Sequence, residues 1–226
     1  MKRLKVLVAC EESQAVTKEF RKLGHYAFSA DLQPCSGGRP DWHLQGDVLE
    51  WIDNDWDIMI AHPPCTFLAC SGNRWLYHPD DKHLPTDQRR PHPKHPYRRD
   101  YQQQALIFVQ TLMDADIPMI AIENPISVIS SQIRKPDQII QPYHFGDPVT
   151  KTTCLWLKNL PKLEHTNVVD PGEIVNFKSG KRMSKWHHDT FRLPKKERSK
   201  VRSKTFPGIA KAIAQQWSDY ATTKFK

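Results

Sequence analysis

The feature that most constrains this chain is a set of short, wholly apolar runs, each ending at residues that carry chemistry. Val6-Leu7-Val8-Ala9 leads into Cys10, Ile58-Met59-Ile60-Ala61 into His62-Pro63-Pro64-Cys65, and Met119-Ile120-Ala121-Ile122 into Glu123-Asn124-Pro125. Runs of this length without polar alternation read as strands buried on both faces. Between them the spacing turns helical. Val16, Phe20 and Leu23 mark a helix that ends at Gly24, and Ala105, Leu106, Val109, Leu112 and Met113 mark another from about Tyr101 to Asp114. Tyr26-Ala27-Phe28-Ser29-Ala30 is a further strand with Asp31 at its end, and Gly46-Asp47-Val48-Leu49 sets a second carboxylate in a short segment. Strands alternating with helices predict an α/β chain with a parallel sheet, whose ligands bind beyond the C-terminal strand ends. Asp31, Asp47 and Cys65 then share one rim. Later strands are expected at Ile139-Ile140 and Cys154-Leu155-Trp156-Leu157. A last helix starts near Thr205-Phe206-Pro207, with Pro207 at its first position and Ile209, Ala212, Ile213, Gln216, Trp217 and Tyr220 turned to the sheet.

Taken singly, these residues allow plain readings. Asp31 stands about 20 positions beyond the first turn, where an acidic residue reads a ribose in nucleoside-binding folds. The glycine-rich fingerprint is missing, since no glycine lies between residues 1 and 23, and a solvated strand-end carboxylate explains Asp31 equally well. A thiol on a proline-stiffened turn past a buried strand is placed to attack, yet the octapeptide alone is ordinarily a packed cysteine in a Pro-Pro turn. Glu123 ends an apolar strand, so it must be hydrogen-bonded, solvent-facing or shifted toward its neutral form. Together Cys65 and Glu123 offer a nucleophile and a proton carrier.

Charge points outward to a partner. Lys and Arg number 33 against 25 Asp and Glu in 226 residues, a formal charge of +8, which favours a polyanion. From Thr66 to Asp100 periodicity is lost among Pro79, Pro85, Pro91, Pro93 and Pro96, with His78, His83, His92 and His95 interleaved. A long structureless insertion of this kind is expected to be a lid or binding loop. Its histidines match no metal pattern and are expected solvated, near phosphate. Trp75, Tyr77 and Tyr97 stand beside Arg74, Arg89, Arg90, Arg98 and Arg99, as at a surface touching nucleic acid. Lys178 to Lys204 holds eleven Lys or Arg against Asp189 and Glu197, with Trp186, His187 and His188 among them, the footprint of phosphate binding. The five cysteines fit no zinc or redox spacing, so no metal is expected, and their odd, scattered distribution suits a reducing cytoplasm. No apolar run is long enough to span a bilayer, and the expectation is a soluble cytoplasmic protein with no membrane partner.

Pro63-Pro64-Cys65 and Glu123-Asn124-Pro125, in this order, resemble the DNA cytosine-5 methyltransferase family, where a Pro-Pro-Cys turn supplies the nucleophile and a Glu-Asn motif the glutamate. Asp31 after the second strand, Gly46-Asp47-Val48, the long segment after Cys65, Pro148 to Thr153 before a strand, and the helix at Thr205-Phe206-Pro207-Gly208 fall where that family has matching features. The resemblance implies a Rossmann-like fold for S-adenosyl-L-methionine, with a mostly parallel sheet and helices on both faces. It implies catalysis by Cys65 and Glu123, and a cofactor site from Cys10, Glu11, Ser13, Asp31, Leu32, Asp47, Val48 and Pro63. Pro64, Asn124, Lys151 and Thr153 would meet the target base and double-stranded DNA; the basic segments add Arg74, Arg98, Arg99, Lys181, Arg182 and Lys185. Residues 1–157 and 205–226 would form the catalytic domain, with 66–100 a mobile loop, and 158–204 a small basic recognition region. The chain departs from the family in its first turn, Ala9-Cys10-Glu11-Glu12-Ser13, and in Lys151 and Thr153 at positions of arginine. The recognition region is short, which looks like a pared-down member of phage or prophage type, expected to act as a monomer. Two alternatives stand beside this reading: cytosine-5 methylation of RNA or a free nucleotide, and a catalytically idle nucleic-acid-binding protein on the same fold.

Overall fold

The computed structural model describes residues 2–224. The apolar runs form the middle of a seven-stranded sheet made of β1 (Lys5–Ala9), β2 (Tyr26–Asp31), β3 (His43–Gln45), β4 (Ile58–Ala61), β5 (Met119–Asn124), β6 (Gln138–Ile140) and β7 (Thr153–Lys158). Their order across the sheet is β3-β2-β1-β4-β5-β7-β6. The first five are parallel, and β7 runs antiparallel between β5 and β6. The chain therefore winds outward in opposite directions from β1 and β4, and the C-terminal ends of those strands border a crevice at a topological switch point.

Alternation along the strands divides the core. Val6, Val8, Ile58, Ile60, Met119 and Ala121 face α1 (Ala15–Lys22) and the C-terminal helix, through Phe20, Ile213 and Trp217. Leu7, Ala9, Met59, Ala61, Ile120 and Ile122 face the other way, onto α2 (Arg98–Asp114) through Leu106, Val109 and Leu112. Each fully buried Val, Leu, Ile, Met or Phe side chain among them contributes roughly 1.5–3 kcal/mol, which fixes the strand ends on which the site is built. The remaining helices are α3 (Ile129–Gln132), α4 (Lys185–Asp189), α5 (Lys195–Ser203) and α6 (Pro207–Lys224).

The helix expected from Tyr101 begins three residues earlier, and Pro207 does open α6. The Gly208 N–H donates to Asp147 Oδ2 at 2.9 Å, which caps that helix. The stretch after Cys65 is not structureless. It folds into short 3₁₀ turns, pinned where the Asp81 carboxylate accepts the Arg90 guanidinium and backbone N–H at 2.6–2.9 Å. His92 is a correction: it is buried, not solvated, and packs edge-on to Trp75 at 5.1 Å between ring centroids. Within 158–204, β8 (Ile174–Asn176) and β9 (Arg182–Ser184) pair as a hairpin before α4 and α5. Among the described residues no helix is long and apolar enough to cross a membrane.

Candidate active site

The site begins with register. Ala61 of β4 lies beside Ile122 of β5, so His62 and Glu123, the next residues on each strand, come side by side. The His62 backbone N–H donates to the Ala9 carbonyl at 2.9 Å, which carries β4 one residue past its apolar run. There the His62 Nδ1 meets Glu123 Oε2 at 3.0 Å. One residue further, the buried Asn124 amide donates to the Pro63 carbonyl at 2.8 Å and ties the proline turn to the end of β5. Downstream the two segments stay joined: Val128 N–H donates to Leu68 O and Cys70 N–H to Ile126 O. Cys65 thus projects from a turn held at both flanks, and the residue is exposed.

Electrostatics follow from that packing. Burial disfavours the charge on Glu123, but the His62 hydrogen bond and charge, with Lys151, hold its pKa below the usual value. Burial likewise disfavours the imidazolium, yet the Glu123 bond and charge, with Glu11, hold the His62 pKa above 6.5, against Lys151. Between the ordinary carboxylate value of 4.5 and the ordinary imidazole value of 6.5 the neighbours are therefore an ion pair. The Cys65 thiol is pushed above its usual value by burial and by the Glu123 charge, with Lys151 opposing.

On the other side of the proline turn, a cavity of about 350 Å³ opens at the ends of β1 and β2. Six expected cofactor residues line it: Cys10, Asp31, Leu32, Asp47, Val48 and Pro63, joined by Pro64. The wall also includes Phe67, Tyr101, Gln104 and Phe108, which the sequence did not single out, although Tyr101, Gln104 and Phe108 share one face of α2. Burial raises the Asp31 pKa, and burial with Asp31 and Asp47 pushes the Cys10 thiol up to about 12. The Cys10 backbone is left-handed, φ 58°, so this turn takes a glycine-like conformation without glycine.

The other expected residues are placed differently. Glu11 and Ser13 do not line the cavity. The buried Glu11 carboxylate instead accepts the Val16 and Thr17 N–H groups at 2.7 and 3.2 Å, and so caps α1. Lys151 donates to the Arg202 carbonyl at 2.8 Å, joining the site to the basic segment, while the buried Thr153 hydroxyl donates to the Lys151 carbonyl. Arg98 donates to the Thr66 carbonyl at 2.8 Å and braces the turn after Cys65. Arg74 packs on Trp75 and Arg99 on Tyr77, both exposed. Lys181 and Arg182 are exposed, and Lys185 pairs with Glu173 at 2.7 Å. Among the described residues no three His, Cys, Asp or Glu side chains are grouped to hold a metal ion.

No protein-family model matches the chain. No curated protein matches it either. Among solved structures, one similar chain is described, provisionally, as a DNA modification methyltransferase encoded within a prophage (E. coli), with 12% identity and a TM-score of 0.39. The match covers 68% of this chain and 46% of that one, so the chain spans about half the length of that protein.

Proposed function

We propose that this chain transfers a methyl group from S-adenosylmethionine to C5 of cytosine in DNA, with Cys65 as nucleophile and Glu123 as its proton partner. One observation carries the reading. Exposed Cys65 and the Glu123 carboxylate follow the ends of neighbouring parallel strands, whose flanking residues are tied together by the Asn124–Pro63 hydrogen bond. Cytosine C5 is a poor nucleophile until C6 takes a nucleophile of its own. The Cys65 thiolate forms the S–C6 bond, and charge that builds on the ring is met at N3 by a proton delivered through the Glu123 carboxylate. Loss of the C5 proton to water, after C5 is methylated, lets the S–C6 bond break and returns Cys65 as thiolate. The Glu123 charge opposes the thiolate in the free protein, so a base that shares a proton with Glu123 also favours ionisation of Cys65.

The cavity at Cys10 and Asp31 fits the cofactor. Its volume is at the lower end of small-molecule sites, Leu32, Val48, Phe67 and Phe108 offer apolar walls for an adenine, and the partly desolvated Asp31 suits ribose hydroxyls. When bound there, S-adenosylmethionine supplies an electrophilic methyl group. The parallel order β3-β2-β1-β4-β5 and helices on both faces support a Rossmann-like reading. Residues 158–204 serve as the recognition region, with Lys181 and Arg182 of the β8–β9 hairpin and the cations of α5 set toward phosphate. A duplex buries the target atoms, so the base must be flipped out at a cost of a few kcal/mol; the Arg- and aromatic-rich segment after Cys65 suits that task.

Bisulfite sequencing of DNA from cells expressing the protein, or its Cys65→Ser variant, tests the reading. Protected cytosines that disappear in the variant are expected. Labelled methyl groups that enter RNA or dCMP but never duplex DNA would assign the same chemistry to another substrate, and incorporation into none would refute it.

A further inference from the structure

We propose that His62 is a positioning residue that holds, at Nδ1, the proton which Glu123 delivers to the cytosine ring. The inference rests on the cytosine-5 reading above and deepens it. Its basis is geometric. His62 and Glu123 leave adjacent parallel strands at the same register, and Nδ1 faces Oε2 at 3.0 Å. The ring's other nitrogen, Nε2, is buried and has no hydrogen-bond partner among the described residues. A proton on Nδ1 therefore has one exchange partner, the Glu123 carboxylate, and is shielded from solvent exchange through the far side of the ring.

The surrounding charges set where the proton rests. Glu123 on β5 and Glu11 after β1 favour the imidazolium, Lys151 before β7 opposes it, and the Cys65 thiol also senses Glu123. In the free protein, at pH below the raised His62 pKa, the proton sits on His62, and Glu123 is an anion that repels a premature thiolate. When the Cys65 sulfur bonds to C6, the ring's N3 becomes basic; the Glu123 carboxylate takes the proton from His62 Nδ1 and passes one to N3. His62 is then neutral, and the electron pair that entered C6 is balanced by the proton at N3. On elimination the proton returns from N3 to Glu123 and to His62, and none is consumed.

His62→Gln separates this role from simple bracing. A glutamine amide can still donate a hydrogen bond to Glu123 but cannot give up a proton. Single-turnover methyl transfer to a duplex oligonucleotide, followed against pH, is expected to show a break for the shared proton above the ordinary imidazole value of 6.5 in the wild type. In His62→Gln that break moves to the acid side by about one unit or more, and the rate near pH 8 falls about tenfold for each unit, because tenfold fewer molecules carry the proton. A His62→Gln enzyme with the wild-type rate and break overturns the relay alone. A wild type that methylates cytosine in no substrate overturns the functional reading and the relay with it. Imidazole ¹⁵N spectra of the wild type give a second measurement that needs neither turnover nor a folded variant. Both nitrogens of His62 protonated near pH 6.5 support the relay, and a neutral ring at that pH overturns it.

Discussion

Asn124→Asp changes one group at the joint between the two strand-end motifs. Asparagine donates to the Pro63 carbonyl at 2.8 Å from a position only 1% exposed, so an aspartate carboxylate there would face that oxygen with no proton to offer. A buried acceptor left unpaired costs about 1–3 kcal/mol, and at this chain length each kcal/mol is worth about 2–4 °C of Tm, which gives a fall of roughly 2–12 °C. The loss must depend on pH. Burial raises the folded pKa of the introduced acid above its unfolded value of about 3.9, so stability is fullest below that value and is lost as pH rises toward the folded pKa, at about 1.4 kcal/mol per unit. When protonated, the new acid can donate its O–H to Pro63 and restore part of the bond. Thermal unfolding of wild type and Asn124→Asp, followed by circular dichroism from about pH 4 to pH 8, measures this. The gap in Tm is expected to widen with pH; a gap that is absent, or constant across the range, would refute the reasoning.

Four further outcomes follow from the same geometry. Gly208→Ala should destabilise α6, because its Cβ would lie 1.9 Å from the Phe145 carbonyl oxygen, a backbone atom; a loss of about 1–3 kcal/mol is expected in denaturant unfolding. The His62–Glu123 pair should make wild type more stable than Glu123→Gln above the ordinary carboxylate value of 4.5 and below the imidazole value of 6.5. That advantage is lost as pH falls through the depressed Glu123 pKa or rises through the elevated His62 pKa, which paired unfolding curves will show. Glu123→Gln should also lower the Cys65 pKa, so alkylation of the Cys65 peptide at neutral pH, followed by mass spectrometry, should run faster in the variant, whereas Lys151→Ala should slow it. Neutralising Lys181 and Arg182 should weaken binding to duplex DNA and reduce the slope of log K against log salt by about one for each phosphate that the variant no longer neutralises.

Much of this arrangement was legible in the chain because its central strands are unusually plain. Four-residue apolar runs with no polar alternation leave little choice but strands buried on both faces, and two of them end directly before Glu123 and the His62-Pro63-Pro64-Cys65 turn. What could not be read were bonds between distant residues. The Asn124–Pro63 and His62–Glu123 contacts each join positions 61 residues apart, and they exist only because β4 and β5 pair in one register. His62 could have been suspected once Cys65 and Glu123 were assigned to neighbouring strands, since it follows Ala61 as Glu123 follows Ile122. Glu11 shows the converse. Its place in the first turn suggested a cofactor contact, but the backbone at Gln14 is left-handed, φ 57°, and offers no side-chain cap, so Glu11 satisfies the first N–H groups of α1. The missing glycines mislead for a related reason, because Cys10 adopts the left-handed backbone that a glycine would ordinarily supply, at a cost of about 1–2 kcal/mol. In the segment after Cys65, proline spacing hid a fold held by the Asp81–Arg90 pair and the Trp75–His92 contact, neither of which has a periodic signature.

The most direct test of the central claim uses a duplex oligonucleotide with 5-fluorocytosine at the target position and S-adenosylmethionine present. Fluorine at C5 cannot leave as a proton does, so an enzyme that attacks C6 is trapped as a covalent adduct. Mass spectrometry is expected to find protein, oligonucleotide and one transferred methyl group joined through Cys65, and no adduct with Cys65→Ser. An adduct that persists in Cys65→Ser, or a wild type that binds the oligonucleotide and cofactor yet forms none, would contradict the account.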